Sequence, residues 1–161
     1  MYRRRKVSEK LEIFSSLRFP FKNRSSQKHR HQITIGIGGN VGDVKRRFEH
    51  LFVFFSRDRR VSILKTSLIL KNPPFGYLDQ DDFFNSIIIL ETSMNAKSFL
   101  NYLMRVEKRF GRRRSFANAP RSLDLDIIFF DNLVLNTKKL TLPHPHWQER
   151  ESVLIPLAGV Q

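Results

Sequence analysis

The stretch from Phe83 to Glu91 constrains this chain most, because its apolar residues come almost without interruption and include Ile87-Ile88-Ile89-Leu90. A short run rich in β-branched residues reads as a strand, and one that is apolar on both faces must be central in its sheet and covered on each side. The rest of the chain has to supply that sheet and its covering layers. Ile33, Ile35 and Ile37 alternate with Thr34 and Gly36, which predicts an earlier strand. The glycines at 36, 38, 39 and 42 then predict a tight strand-to-helix connection built on positive φ. Asp43 is placed to cap a helix whose Phe48, Leu51, Phe52 and Phe55 share one face. Val61 to Leu70 reads as a single second strand, and Asn72-Pro73-Pro74-Phe75-Gly76 as a loop, since Pro74 removes a donor and restricts Pro73. Asn95 caps a second helix with a stripe of Phe99, Leu103, Val106 and Phe110, ended by Gly111. Leu123 to Phe130 is the fourth strand, followed by a hairpin-like excursion around Asn136. The order β-α-β-β-α-β predicts an α+β sandwich of ferredoxin-like type, an antiparallel sheet with helices on one face, extended by a C-terminal hairpin and helix.

At 161 residues with 40% hydrophobic content and fifteen phenylalanines, the chain has enough apolar mass for one core, which excludes wholesale disorder. No apolar run reaches the roughly 18 to 20 residues that span a bilayer, and the arginines at 3 to 5 are not followed by a compact apolar stretch. With no cysteine, disulfides, thiolate zinc sites and a cysteine nucleophile are excluded. A cytoplasmic monomer acting on small molecules, with no membrane partner, is the expectation. Net charge is +14, unevenly spread: residues 1–30 carry ten Lys/Arg against Glu9 and Glu12. Residues 1–31 therefore read as a basic N-terminal extension, and residues 32–161 as the functional domain. Leu11, Phe14 and Leu17 have helical spacing, so the extension is expected to be solvated or to lay a short helix on the core; an electrostatic contact with RNA or membrane is the alternative.

Two common nucleotide motifs are missing. A dinucleotide fingerprint would need glycine at 41, where Val41 stands, and there is no Gly-Lys-Ser/Thr phosphate loop. Asp124 and Asp126 say more. Residues i and i+2 of a strand project from the same face, which puts two carboxylates about 7 Å apart over one site. Such like charges need a cation, either a metal or arginines such as Arg121. Two carboxylates and a substrate phosphate suit Mg²⁺, while Arg112, Arg113, Arg114 and Arg121 offer forks matched to phosphate oxygens; a solvated loop or an RNA patch is the other reading of that arginine run. His144 and His146 lack a third ligand at recognisable spacing, so a structural or phosphate-contacting role is expected for them. Phe75, Phe83 and Asn85 could line a pocket for a flat heterocycle, or the rings could simply pack in the core.

Asn118-Ala119-Pro120-Arg121-Ser122-Leu123-Asp124-Leu125-Asp126-Ile127-Ile128 resembles the signature of the 6-hydroxymethyl-7,8-dihydropterin pyrophosphokinase family. Gly38-Gly39-Asn40-Val41-Gly42-Asp43, the Asn72 to Gly76 loop, Phe83-Phe84-Asn85, Leu142-Pro143-His144-Pro145 and Glu149-Arg150 are similar to further family elements, in the family order, from about Gln32 onward. The resemblance implies transfer of the β,γ-diphosphate of ATP to the pterin's hydroxymethyl group, with release of AMP. It also implies that Asp124 and Asp126 hold two Mg²⁺ ions, and that Arg112 and Arg121 act catalytically on the reacting phosphates. Glu107, Arg114, Ile127, Lys139, Thr141 and His144 would bind ATP. Asn72, Pro74, Phe75, Phe83, Asn85 and Arg150 would bind the pterin. Because every matched element lies beyond Gln32, the extension is expected to be dispensable for activity.

Some residues depart from that pattern. Ser152 stands where a second stacking aromatic is usual, leaving Trp147 as the candidate to complete a stack, and Asn118 replaces a loop tryptophan. The competing reading is a basic RNA-binding module. It is disfavoured because the exposed-aromatic strand motif of such modules is missing and RNA gives no reason for two carboxylates on one strand face.

Overall fold

The computed structural model describes residues 2–112, 116 and 118–160. The elements in chain order are β1 (Arg3–Lys6), β2 (Glu12–Ser15), β3 (Phe21–Lys22), β4 (His31–Gly39), α1 (Val44–Arg57), β5 (Val61–Thr66), β6 (Ile69–Asn72), β7 (Phe83–Thr92), α2 (Ala96–Arg109), β8 (Asp124–Phe130), β9 (Leu135–Asn136), β10 (Thr141–Leu142) and α3 (Glu151–Ala158). The chain is α+β, and its pairings are antiparallel. The main sheet runs β1-β2-β6-β7-β4-β8, with β5 continuing the β6 side of β7 and β3 pairing with β5.

Local chemistry sets the elements. Asp43 accepts from the Arg46 amide at 3.2 Å and Asn95 from the Ser98 amide at 2.9 Å, so both helices start where short polar side chains satisfy free N–H groups. Gly111, at φ 85°, follows α2 in the left-handed region. The stripe of Phe48, Leu51, Phe52 and Phe55 is buried, as are Phe99, Leu103 and Val106.

β7 is the central strand that its sequence predicts. Ile88 and Leu90 face the core beneath α1 and α2, whereas Ile87 and Ile89 face a second cluster with Ile128 and with Val153 and Leu157 of α3. Helices thus lie on both faces of the sheet, α1 and α2 on one and the added C-terminal helix α3 on the other, as the continuous apolar run of β7 requires. The α3 layer is short, and part of the second face stays open beside it.

The stretch expected as one strand from Val61 to Leu70 is two. Between them the Ser67 hydroxyl accepts from the Ile87 amide at 2.8 Å and pairs with the Ser86 hydroxyl at 2.9 Å, so a side chain replaces a ladder bond where the backbone leaves the sheet. The extension forms strands instead of a helix. Ile13 and Phe14 of β2 pair with Leu70 and Ile69 of β6, and Leu17, which the helical spacing would bury, is 91% exposed. Phe19 is fully buried between Phe48 and Phe52, with ring centroids 6.1 Å from each. Complete burial of such a ring contributes about 2–3 kcal/mol. At the sheet edge, β1 is Arg3-Arg4-Arg5-Lys6, all exposed, a charge pattern that discourages edge-to-edge pairing. Among the described residues no helix is long and apolar enough to cross a membrane.

Candidate active site

The site begins with what β4 lacks. β4 lies between β7 and β8, with Gly38 opposite Asn85 on one side and Asp124 on the other, and Gly36 opposite Ile87 and Asp126. Strand alternation sends Asn85, Asp124, Asp126 and Ile128 to the same face as α3. The side-chain-free glycines leave a trough between the amide and the carboxylates. A Cβ at Gly38 would stand 2.6 Å from Asn85 Oδ1, and one at Gly39 would stand 2.7 Å from the Ser122 carbonyl. These glycines therefore serve close approach. The expected positive φ is found only at Gly42 of the four, at 72°.

On one side of the trough lies a cavity of about 480 Å³ lined by Asn72, Pro74, Phe75, Phe83, Asn85 and Arg150. Asn85 Nδ2 donates to Asn72 Oδ1 at 2.7 Å, which fixes the amide's orientation toward the trough. The Arg150 guanidinium lies 5.6 Å from the centre of the Phe75 ring. Ser152 and Asn118 also line this cavity. Trp147 lines neither cavity and packs edge-on against Phe129 at 5.0 Å, so it does not complete a stack.

On the other side lies a cavity of about 660 Å³ lined by Glu107, Arg112, Ile127, Lys139 and Thr141, with an apolar wall of Leu100 and Met104 from α2. That wall and Lys138 were not marked by the sequence motifs; the apolar residues read only as part of a helix. Arg114 lies outside the described residues. Arg121, Asp124, Asp126, His144 and Arg150 line both cavities and form the seam between them.

Charge at the seam is partly compensated. Asp124 accepts from Arg112 Nη1 at 2.6 Å through one oxygen and from Arg121 Nη1 at 2.8 Å through the other. Arg112 also donates to Glu107, whose carboxylate accepts from the Leu125 amide at 2.8 Å. Burial pushes the Glu107 carboxyl up despite these donors. The Asp126 carboxyl has no hydrogen-bond partner among the described residues and is pushed up to about 7, first by burial and then by the charges of Asp124 and Glu107. His144 is held below the usual imidazole range, first by burial and then by Arg150 and His146. Its Nδ1 accepts from the His146 amide at 3.2 Å, so the neutral ring carries its proton on Nε2 and has a donor to offer.

These residues fit a hard divalent cation. Two carboxylates on one strand face form an all-oxygen donor set in which the Asp126 carboxylate has no partner among the described residues, while Asp124, both of whose oxygens accept from Arg112 and Arg121, would share the ion with these guanidiniums; most coordination positions would fall to water and phosphate. Among the described residues no group of three acidic, histidine or cysteine side chains could hold a metal alone.

Two side chains that the motifs did not single out for a role hold Arg121 in place. Asn40 accepts from the Arg121 amide at 2.9 Å and donates to Gln80 Oε1 at 2.8 Å and to the Asp81 carbonyl at 2.9 Å. Arg47 donates to the carbonyls of Val41 and Ser122, each at 2.7 Å. Asn40 sits in the glycine-rich motif; nothing in the sequence marks Arg47.

The chain is similar to known proteins over most of its length. The family model described as 7,8-dihydro-6-hydroxymethylpterin-pyrophosphokinase (HPPK) matches residues 34–161. The 2-amino-4-hydroxy-6-hydroxymethyldihydropteridine pyrophosphokinase of Helicobacter pylori is 41% identical over 151 residues, covering 91% of this chain and 91% of that protein. The protein of the same name from Campylobacter jejuni is 39% identical, covering 88% and 90%. The one from Bacillus subtilis is 34% identical, covering 78% and 75%.

Proposed function

The chain belongs to the 7,8-dihydro-6-hydroxymethylpterin-pyrophosphokinase family, and from that premise we propose that its two cavities hold the two substrates of pyrophosphate transfer from ATP to 6-hydroxymethyl-7,8-dihydropterin, a step of folate biosynthesis. The observation that carries the assignment is the seam: cavities of about 480 and 660 Å³ that share Arg121, Asp124, Asp126, His144 and Arg150. A two-substrate transfer needs two such spaces and one place where they meet.

The flat pterin suits the cavity of Phe75, Phe83 and Asn85, where an aromatic ring stacks on the heterocycle and a fixed amide reads its polar edge, with Asn72, Pro74 and Arg150 completing the walls. ATP suits the cavity walled by Leu100 and Met104. There Glu107, Ile127, Lys139, Thr141 and His144 bind it, and Arg114 belongs to the same set. The pterin's hydroxyl oxygen attacks the β-phosphorus, the bond from that phosphorus to the oxygen retained by AMP breaks, and the hydroxyl proton passes to solvent. Arg112 and Arg121, held by Asp124, face the phosphates on which charge develops. Neutral His144 donates through Nε2. Asp124 and Asp126 would hold Mg²⁺, two ions in this reading, which supplies charge neutralisation on the phosphate oxygens. Phosphoryl-type transfer depends on alignment and charge compensation, so a dedicated base is not required.

The finer fold reading follows the strand order β8-β4-β7-β5 with α1 and α2 as crossovers, which supports a ferredoxin-like frame. We keep residues 1–31 as a basic extension on a domain of residues 32–161. The chain is read as a cytoplasmic monomer, since both substrates are small and one chain supplies both cavities. The positive charge of Arg112, Arg121, Lys138 and Lys139 around the second cavity is assigned to the triphosphate rather than to nucleic acid. Incubation with ATP, Mg²⁺ and hydroxymethyl dihydropterin, followed by ³¹P NMR, tests the reaction. AMP and the pterin diphosphate in equal amounts are expected; release of ADP, or no turnover by folded protein, would contradict it.

A further inference from the structure

The N-terminal extension touches neither cavity, yet it lies directly behind one of them. β6 carries Asn72 into the pterin-side cavity and is only four residues long. On one side it pairs with β7 through Leu70 opposite Asn85, Lys71 opposite Phe84 and Asn72 opposite Phe83. On its other side it is held by β2, through Glu12 opposite Lys71, Ile13 opposite Leu70 and Phe14 opposite Ile69. A four-residue strand with one partner would be a frayed edge; β2 makes it an interior strand.

The side chains repeat the arrangement on the reverse face. Phe83 and Asn85 point into the cavity, so Phe84 between them points away. There it meets Phe14 of β2, with ring centroids 5.8 Å apart. Lys45 of α1 caps the cluster, its Nζ 4.0 Å from the centre of Phe14, 5.6 Å from Phe84 and 4.9 Å from Tyr2. Aromatic pairs and ammonium-over-ring contacts are directional, so the cluster fixes the position of Phe84 and hence of its two cavity-facing neighbours. The other cavity is built from α2, β8 and the hairpin β9–β10, none of which pairs with β2.

We infer that the N-terminal hairpin, through Phe14 and the contact of its ring with Lys45 of α1, is a positioning element for the pterin half of the site and not for the ATP half. The inference rests on the assignment of the first cavity to the pterin. A merely structural role would weaken both halves alike.

The test is calorimetric binding of hydroxymethyl dihydropterin, and separately of a non-hydrolysable ATP analogue with Mg²⁺, to the full chain and to Phe14→Leu and Lys45→Gln. Phe14→Leu keeps the core filled but removes the ring. Lys45→Gln removes only the cation and reads the same split if Phe14→Leu does not fold. The expected result is pterin affinity weaker by about five- to tenfold, with ATP-analogue affinity changed by less than about twofold. Equal shifts for the two ligands, or none for either, would overturn the inference. A wild-type chain that binds the ATP analogue but no pterin would instead overturn the assignment of the cavity.

Discussion

Asp126 is placed where it harms the ligand-free fold. It stands beside Asp124 and Glu107, and its carboxyl ionises only at about 7. A carboxyl whose folded value lies above its unfolded one costs nothing at low pH. The cost grows as pH rises from about 4 and is complete above the folded value. Asp126→Asn should therefore raise the Tm of the ligand-free protein by about 2–5 °C at pH 8 and leave it unchanged at pH 4, while turnover falls by about a thousandfold or more. Melting curves at the two pH values and an AMP assay check both; wild-type turnover would remove the metal role assigned to Asp126. Gly38→Ala should act on the opposite wall, pushing the Asn85 amide aside and weakening pterin binding while ATP-analogue binding persists, as separate titrations would read. The two cases differ in how far the sequence announced them. Asp124 and Asp126 could be placed together because strand alternation is a local rule. Gly38 and Gly39 could not be assigned to close approach, because the need for it comes from Asn85 and Ser122, which are distant in the chain.

Two elements are joined by a cluster with its own pH signature. At the end of α1, Asp58 accepts from Arg60 Nη2 at 2.8 Å and from the Tyr102 hydroxyl of α2 at 2.9 Å. Its carboxyl is held at about 2, chiefly by the Arg60 fork. A lowered carboxyl value contributes stability that is present above the unfolded value near 4 and lost as pH falls toward 2. Asp58→Asn should lower the Tm at pH 7, and the gap to wild type should close between pH 4 and pH 2; a gap independent of pH would mean that the ionised cluster is not the cause. The N-terminal strands make a second case. Phe19 is wholly buried, so Phe19→Ala should cost about 3–5 kcal/mol in urea unfolding. That cost concerns folding, whereas the first thirty residues were expected to be dispensable for activity. The two helices were legible because caps and apolar stripes are local. The extension was misread because its strands exist only by pairing with β6 and β5, and the break at Ser67 was missed because it depends on where the Ser86 hydroxyl lies.

For the whole molecule, one sheet divides the labour. One face, under α1 and α2, carries the larger core; the other, partly covered by α3, carries the first cavity, and the second lies at the β8 edge between α2 and the aspartates. The alternating pattern of strands and helices was enough to give the α+β class and to bring most of the motif residues to one face. It did not reveal that two separate spaces meet at the aspartates, since that follows from the length of α3 and the path of the C-terminal segment through His144 and Arg150. On the proposed reading, Asp124 and Asp126 join those spaces by holding a divalent cation on the triphosphate. Titration of a non-hydrolysable ATP analogue into the wild-type chain and into the Asp124→Asn/Asp126→Asn variant, each with and without Mg²⁺, tests it directly. Mg²⁺ is expected to tighten binding to wild type by about a hundredfold and to leave the variant unchanged; equal tightening in both proteins would remove the metal role of the two aspartates.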